Sequence, residues 1–310
     1  MNEAQGGTAK PALLMLAPLL AEHEARLAER FVLVRAYDAD ARRALWAERP
    51  ERFAALVTNG AQGVPPLLMA ALPKLSLIAV NGVGVDAIDL EQARLRGIRV
   101  STTDDILTDA VADQAVALLL ALLRQVCLAD RFVRAGHWRQ GGFPLLGTSL
   151  RGQRVGIIGL GRIGTAIAER LRPFGVELAY HNRRALAGCE YAYHGDPRSL
   201  AEASDILLVA AAGGAGSRHL VDAQVLEALG AGGVLVNVAR GSVVDEGELV
   251  ARLSDGRLGG AALDVFADEP QVPEALFALD NVVLQPHLGS ATLQTRRAMA
   301  DHVVRAVLAG

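Results

Sequence analysis

The stretch Val155-Gly156-Ile157-Ile158-Gly159-Leu160-Gly161-Arg162-Ile163-Gly164 decides the fold of this chain. Its apolar run, Val155 to Ile158, has the character of a buried strand and ends at glycines spaced G-x-G-x-x-G. Apolar residues then recur at Ile163, Ile167 and Leu171, with Glu169 and Arg170 turned away, as in an amphipathic helix. A strand, a tight glycine turn and a helix make a cradle for a dinucleotide pyrophosphate. Gly159 permits the turn, Gly161 brings the backbone close to the phosphates, and Gly164 lets helix and strand pack closely. The helix start adds N–H donors and a favourable dipole. Cofactor contacts are therefore expected at Gly159, Leu160, Gly161, Arg162, Ile163 and Gly164.

The strand after the cradle bears on which dinucleotide is held. NAD sites carry Asp or Glu about 20 residues further on, bonded to the ribose 2′-hydroxyl. Here the strand ends Tyr180-His181-Asn182-Arg183-Arg184, with no acid. An acid would repel a 2′-phosphate, whereas two arginines attract one. The competing reading is a solvated basic loop. Asn182, Arg183 and Arg184 are read as ribose-end contacts, with NADP(H) preferred and NAD(H) possible.

Strands alternate with helices on both sides of this stretch. Before it, strand patterns at 13–16, 31–35, 53–58, 75–80 and 98–100 alternate with helical ones at 20–30, 41–46, 65–71 and 90–96. After it come strand patterns at 176–180, 205–209, 234–238, 260–265 and 282–284, and helices at 224–228, 246–253 and 290–308. Such alternation argues for parallel sheets covered on both faces, hence two α/β domains of which only the second has the fingerprint. Between them, Thr108 to Arg134 reads as one long helix capped by Thr108, with Cys127 in its core. A glycine-rich arm, Gly136 to Gly147, follows it.

The 310 residues carry a net charge of −3, which gives no electrostatic case for nucleic acid or an anionic membrane. Cys127 and Cys189 are too few for a disulfide framework or a zinc site, so no metal is expected. Met1 to Lys10 reads as a loose start without the pattern of a secretory leader, and the apolar run Ala115 to Leu123 is too short to span a bilayer. The expectation is a soluble, reduced, cytoplasmic protein.

Three polar stretches end strands of the second domain: Asn237-Val238-Ala239-Arg240-Gly241-Ser242, Asp264-Val265-Phe266-Ala267-Asp268-Glu269-Pro270 and Gln285-Pro286-His287-Leu288-Gly289-Ser290. Ligands of parallel sheets bind outside the carboxyl ends of strands, which directs Arg240, Glu269 and His287 to one cleft. In the first domain, Asn81-Gly82-Val83-Gly84 follows a strand and can offer N–H groups to an anion; an ordinary glycine turn is the alternative.

With these motifs in view, the chain resembles the D-isomer-specific 2-hydroxyacid dehydrogenase family, most of all its glyoxylate/hydroxypyruvate and hydroxyphenylpyruvate reductase branch. The likeness runs from about Val57 to Val307. It rests on NGVGVDAID (Asn81–Asp89), LTDAVAD (Leu107–Asp113), VGIIGLGRIG, NVARGSVVDE (Asn237–Glu246), ALDVFADEP (Ala262–Pro270) and QPHLGSAT (Gln285–Thr292), in family order.

The resemblance implies two doubly wound parallel-sheet α/β domains, a Rossmann coenzyme domain (102–288) inserted into a flavodoxin-like substrate domain (1–101 plus 289–310) with the catalytic cleft between. It implies Arg240, Glu269 and His287 as the catalytic set. Val83 and Gly84 N–H groups then take the substrate carboxylate, and Leu107 borders the cleft. Asp264 matches the position bonded to the nicotinamide carboxamide, or else is a strand-end cap; Thr108, Val238, Ala239 and Gly289 line that pocket. Ala210 to Gly216 departs from the family's Cys-Pro-Leu-Thr-type turn, leaving backbone contact near Ala211. Trp138 either covers the long helix or, as in related reductases, reaches a partner subunit's site.

The implied activity is NADPH-dependent reduction of a small 2-oxo acid, of glyoxylate or hydroxypyruvate type, to the D-2-hydroxy acid. His287 is the proton donor, because its ordinary pKa suits neutral pH. A homodimer is expected from the family. Alternatives are a reductase of 2-ketogluconate or aryl pyruvates, and a non-catalytic, corepressor-like nucleotide sensor on the same scaffold. Glu269 argues against the formate dehydrogenase branch, which carries glutamine there.

Overall fold

The computed structural model describes residues 10–38, 40–42 and 50–310. Their packing forms two units: one from the described residues up to Leu107 together with Thr292–Gly310, the other Thr108–Ala291. All but Lys10 of the loose start expected for Met1–Lys10, and most of the helix expected at 41–46, lie outside the described residues.

In the first unit, β1 (Ala12–Met15), β2 (Val32–Arg35), β3 (Phe53–Thr58), β4 (Leu77–Val80) and β5 (Arg99–Ser101) form a parallel sheet in the order β2-β1-β3-β4-β5. This is the doubly wound, flavodoxin-like order. Side chains of β1 alternate as a strand's must: Leu13 and Met15 join one buried cluster, while Leu14 joins the other. Helix Leu293–Leu308 returns to this unit and buries Val303, Val304 and Val307 against Leu13 and Met15. Asp301 on that helix meets His23 Nε2 at 3.3 Å and also pairs with Arg26.

In the second unit, seven parallel strands run in the order β12-β11-β10-β9-β6-β7-β8. They are β6 (Arg154–Ile158), β7 (Glu177–His181), β8 (Ala192–His194), β9 (Ile206–Val209), β10 (Val234–Asn237), β11 (Gly260–Leu263) and β12 (Val282–Leu284). Chain direction across the sheet reverses between β6 and β9, so the crevice for a ligand opens where those two strands end. Helix Arg162–Leu171 follows β6 and is tied to helix Thr108–Leu123 by Arg170, which donates to Asp113 (2.6 Å) and Asp109 (2.8 Å).

The long helix read at Thr108–Arg134 is broken. Helices Thr108–Leu123 and Val126–Arg134 meet at 61°, with Gln125 left-handed at φ 56°. Thr148 N–H takes the Leu123 carbonyl at 2.8 Å, and a Cβ at Gly147 would lie 2.8 Å from that same oxygen. The crossing chain thus consumes an acceptor that a continuous helix would use. Helix Val126–Arg134 buries no residue, and Cys127 is exposed, not in a core as expected. No single helix among the described residues is long and apolar enough to cross a membrane.

Strand β8 and helix Pro197–Glu202 are not among the patterns read from the sequence. The second had a readable start: Asp196 accepts the Ser199 N–H at 2.9 Å and Pro197 opens the helix. The C-terminal helix begins at Leu293, not Ser290, because Thr292 caps it by accepting the Thr295 N–H at 3.1 Å.

Candidate active site

The three fingerprint glycines answer three different constraints. Gly159 has φ 95°, and a Cβ there would lie 2.5 Å from the nitrogen of Ala211. A Cβ at Gly164 would lie 2.2 Å from the Gly159 carbonyl oxygen, inside the turn itself. A Cβ at Gly161 would meet nothing within 4 Å. That position is bare toward open space, directly ahead of helix Arg162–Leu171, whose first-turn N–H groups have no helical acceptor. A dinucleotide pyrophosphate fits such a cradle.

Around the cradle, Ala210 donates its N–H to Ile158 at 2.9 Å, so the departing loop of β9 lies against the turn by backbone. Arg183 and Arg184 are exposed and form no ion pair with a described residue. Asn182 is engaged elsewhere. Its Oδ1 accepts the Leu160 N–H at 2.7 Å, and its Nδ2 donates to the Leu160 carbonyl at 3.3 Å. Leu160 itself is 3% exposed, with both backbone polar groups on Asn182.

Arg240, Glu269 and His287 follow the neighbouring parallel strands β10, β11 and β12. Parallel order puts all three at the same edge of the sheet. His287 Nδ1 faces Glu269 Oε2 at 2.7 Å. An ionised carboxylate only accepts, so Nδ1 carries the hydrogen and Nε2 is the ring's other functional atom. Glu269 Oε1 accepts the Phe266 N–H at 3.0 Å. Burial acts to raise the Glu269 carboxyl, but the His287 and Phe266 hydrogen bonds and the charges of His287 and Arg240 outweigh it. The carboxyl sits below the usual glutamate range.

Side-chain hydrogen bonds to backbone hold these loops in place. Asp264 uses all three of its oxygens on consecutive N–H groups. Its carbonyl accepts from His287 (2.8 Å), Oδ1 from Leu288 (2.7 Å) and Oδ2 from Gly289 (2.8 Å). His287 is left-handed at φ 56°, an uncommon conformation for a non-glycine residue, and this clamp sustains it. Burial pushes the Asp264 carboxyl up, against the pull of the two N–H groups. Asp264 stands just past the end of β11, and both of its carboxylate oxygens are engaged by backbone N–H groups of the loop after β12.

Other holding groups were not singled out from sequence. Asn237 accepts the Ala239 N–H at 3.0 Å and donates to the Arg240 carbonyl at 3.0 Å. Arg240 Nη1 donates to the Ala239 carbonyl at 2.7 Å. A Cβ at Gly241 would lie 1.9 Å from the Phe266 carbonyl carbon, so the loops after β10 and β11 are in backbone contact. Glu246 accepts the Ala267 N–H at 2.9 Å across that contact. Asn237, Gly241 and Glu246 all stand in the quoted NVARGSVVDE stretch; an Asn three residues before an Arg, and an Arg-Gly pair, were the available signals.

Thr108 opens its helix, and Val238 and Ala239 are each 7% exposed behind β10. Gly289 approaches Asp264 so closely that a Cβ would lie 3.1 Å from Oδ2. Val83, Gly84 and Leu107 belong to the first unit. There the turn Asn81–Gly84 lies against the turn after β3: a Cβ at Gly60 would be 3.3 Å from the Gly84 Cα. Trp138, in the turn His137–Gln140, is 67% exposed.

The chain is similar to known proteins over most of its length. A model of the D-isomer specific 2-hydroxyacid dehydrogenase NAD-binding domain matches residues 116–289. The chain is 48% identical to glyoxylate/hydroxypyruvate reductase A of Arabidopsis thaliana over 292 residues, 94% of this chain and 93% of that protein. It is 47% identical to hydroxyphenylpyruvate reductase of Plectranthus scutellarioides, again over 94% and 93%. The NADPH-dependent glyoxylate/hydroxypyruvate reductase of Sinorhizobium meliloti, solved in complex with NADP and malonate, superposes with a TM-score of 0.90. It is 46% identical, and the match covers 96% of this chain and 92% of that one.

Proposed function

We infer the activity from one premise: the chain belongs to the D-isomer-specific 2-hydroxyacid dehydrogenase family. We propose that it reduces a small 2-oxo acid, of glyoxylate or hydroxypyruvate type, to the D-2-hydroxy acid with NADPH. The observation that carries the proposal is the His287–Glu269 pair at 2.7 Å, beside Arg240, in the unit that also holds the glycine cradle.

Bound NADPH supplies the hydride. His287 delivers the Nε2 proton to the carbonyl oxygen as that oxygen gains charge, and takes it back in the reverse direction. Glu269 holds Nδ1–H, fixing the tautomer and stabilising the imidazolium before transfer. Arg240 offers its planar fork to the substrate's carboxylate and carbonyl oxygens. Arg183 and Arg184, exposed at the end of β7 where no acid stands, support the choice of NADPH over NADH. The reading includes a cytoplasmic homodimer. Exposed apolar side chains at Val126, Val133, Trp138 and Leu146 support the dimer.

A panel of 2-oxo acids assayed separately with NADPH and NADH tests the reading. Turnover of glyoxylate or hydroxypyruvate is expected, with a higher kcat/KM for NADPH. Cofactor binding without turnover of any substrate overturns it in favour of the nucleotide-sensing alternative. A kcat/KM with NADH equal to that with NADPH overturns the cofactor choice.

The Glu269–His287 pair also fixes a pH dependence. Glu269 has a depressed folded pKa, so the pair's contribution is complete above the ordinary carboxylate pKa and fades only as pH falls through the depressed value. The pair is therefore intact at neutral pH. In Glu269→Gln a neutral amide replaces the carboxylate that titrates, so the acid-side loss of kcat/KM that follows Glu269 protonation disappears, while kcat at neutral pH falls. A variant whose acid limb and neutral-pH kcat match the wild type would show that Glu269 does not support the ring.

A further inference from the structure

Asn182 follows β7 at the place where an NAD-selecting site carries its ribose carboxylate. Its amide turns back onto the glycine turn and satisfies both backbone groups of Leu160, as acceptor at 2.7 Å and donor at 3.3 Å. One residue earlier, the His181 carbonyl accepts the Gly159 N–H at 2.9 Å. The end of β7 thus grips two successive residues of the turn. Gly161, the next residue, is the one whose missing Cβ leaves open space ahead of the helix.

Two consequences follow from the chemistry of an amide. Only a side chain that both donates and accepts can serve the N–H and the carbonyl of one residue, and a carboxylate cannot donate. The grip also leaves Arg183 and Arg184 as the charged groups next along the chain, with no anion among them. We propose that Asn182 is a positioning and specificity-determining residue for the cofactor: it pins the turn that presents the pyrophosphate donors, and it keeps a negative charge away from the ribose end. The proposal rests on the reading of the protein as an NADPH-dependent reductase.

The two effects separate by substitution. Both cofactors carry the same pyrophosphate, so loss of the grip weakens them equally. In Asn182→Asp the second carboxylate oxygen is repelled by the Leu160 carbonyl. The carboxylate swings toward the ribose, where it opposes a 2′-phosphate and accepts from a 2′-hydroxyl. Titration calorimetry of the full chain with NADPH and with NADH reads both effects, alongside the melting temperature of each unliganded variant.

Asn182→Ala is expected to raise both dissociation constants by one common factor, about three- to tenfold. Asn182→Asp is expected to raise the NADPH-to-NADH ratio of dissociation constants about tenfold or more, a change of about 1.4 kcal/mol. Wild-type affinity for both cofactors in Asn182→Ala overturns the positioning role. An unchanged ratio in Asn182→Asp overturns the specificity role. If Asn182→Ala loses its cooperative melt, the near-isosteric Asn182→Asp carries the decision. Wild-type protein that binds NADH as tightly as NADPH overturns the cofactor reading instead, while the alanine variant still decides the positioning role.

Discussion

His287→Asn lowers kcat for 2-oxo acid reduction by about 10²–10⁴ and leaves NADPH affinity near that of the wild type. Asparagine is the informative replacement because residue 287 is left-handed at φ 56°, a conformation Asn tolerates better than most residues. The three N–H bonds to Asp264 are made by backbone and survive the change. An amide has no proton to give near neutral pH, so the proton must come from water. Glu269, its Nδ1–H partner gone, keeps only the Phe266 N–H on its other oxygen. Single-turnover loss of the reduced nicotinamide absorbance isolates the chemical step from product release. Wild-type single-turnover rates in a variant with a wild-type melting temperature would remove His287 from the chemistry.

The cradle and the catalytic strand ends were legible because their signals are local. G-x-G-x-x-G between a strand and a helix forces the turn at Gly159 whatever surrounds it. Arg240, Glu269 and His287 were legible one step further out, since parallel strands send their carboxyl ends to one edge. The contacts that hold them were not: Asp264 stood out at its strand end, but its partners did not. Asp264 reaches 24 residues along the chain to Leu288, and Glu246 reaches 21 to Ala267. No periodicity encodes a side chain's choice of a distant N–H. Asn182 shows the same limit in miniature: its place after the strand is legible from spacing, and the turn of its amide onto Leu160, 22 residues back, is not.

The break at Gln125 has a related cause. Apolar pattern through Thr108–Arg134 is continuous enough to read as one helix. The decision lies with Thr148, whose N–H claims the Leu123 carbonyl from across the chain. Beyond that point apolar residues no longer imply a core, which is why Cys127 and Val133 stand exposed. Helix Pro197–Glu202 is the opposite case, a start signal present in Asp196-Pro197 that was outweighed by the short length of the element.

Arg240→Lys lowers kcat/KM for the 2-oxo acid by about 10²–10³, with NADPH affinity unchanged. Charge alone does not define this residue. Asn237 fixes its carbonyl, Gly241 locks the following backbone against Phe266, and Nη1 is anchored on the Ala239 carbonyl. The guanidinium is thereby presented as an oriented plane, able to donate to two oxygens of one substrate. A lysine ammonium in the same place keeps the charge and loses the paired geometry. Because the charge stays, its pull on Glu269 persists in kind, and the pH–rate profile keeps its shape. Arg240→Gln removes the charge as well, so it should change both the profile and kcat/KM. A lysine variant with wild-type kcat/KM would mean that substrate is held by a point charge, and the two-oxygen role of Arg240 would fall.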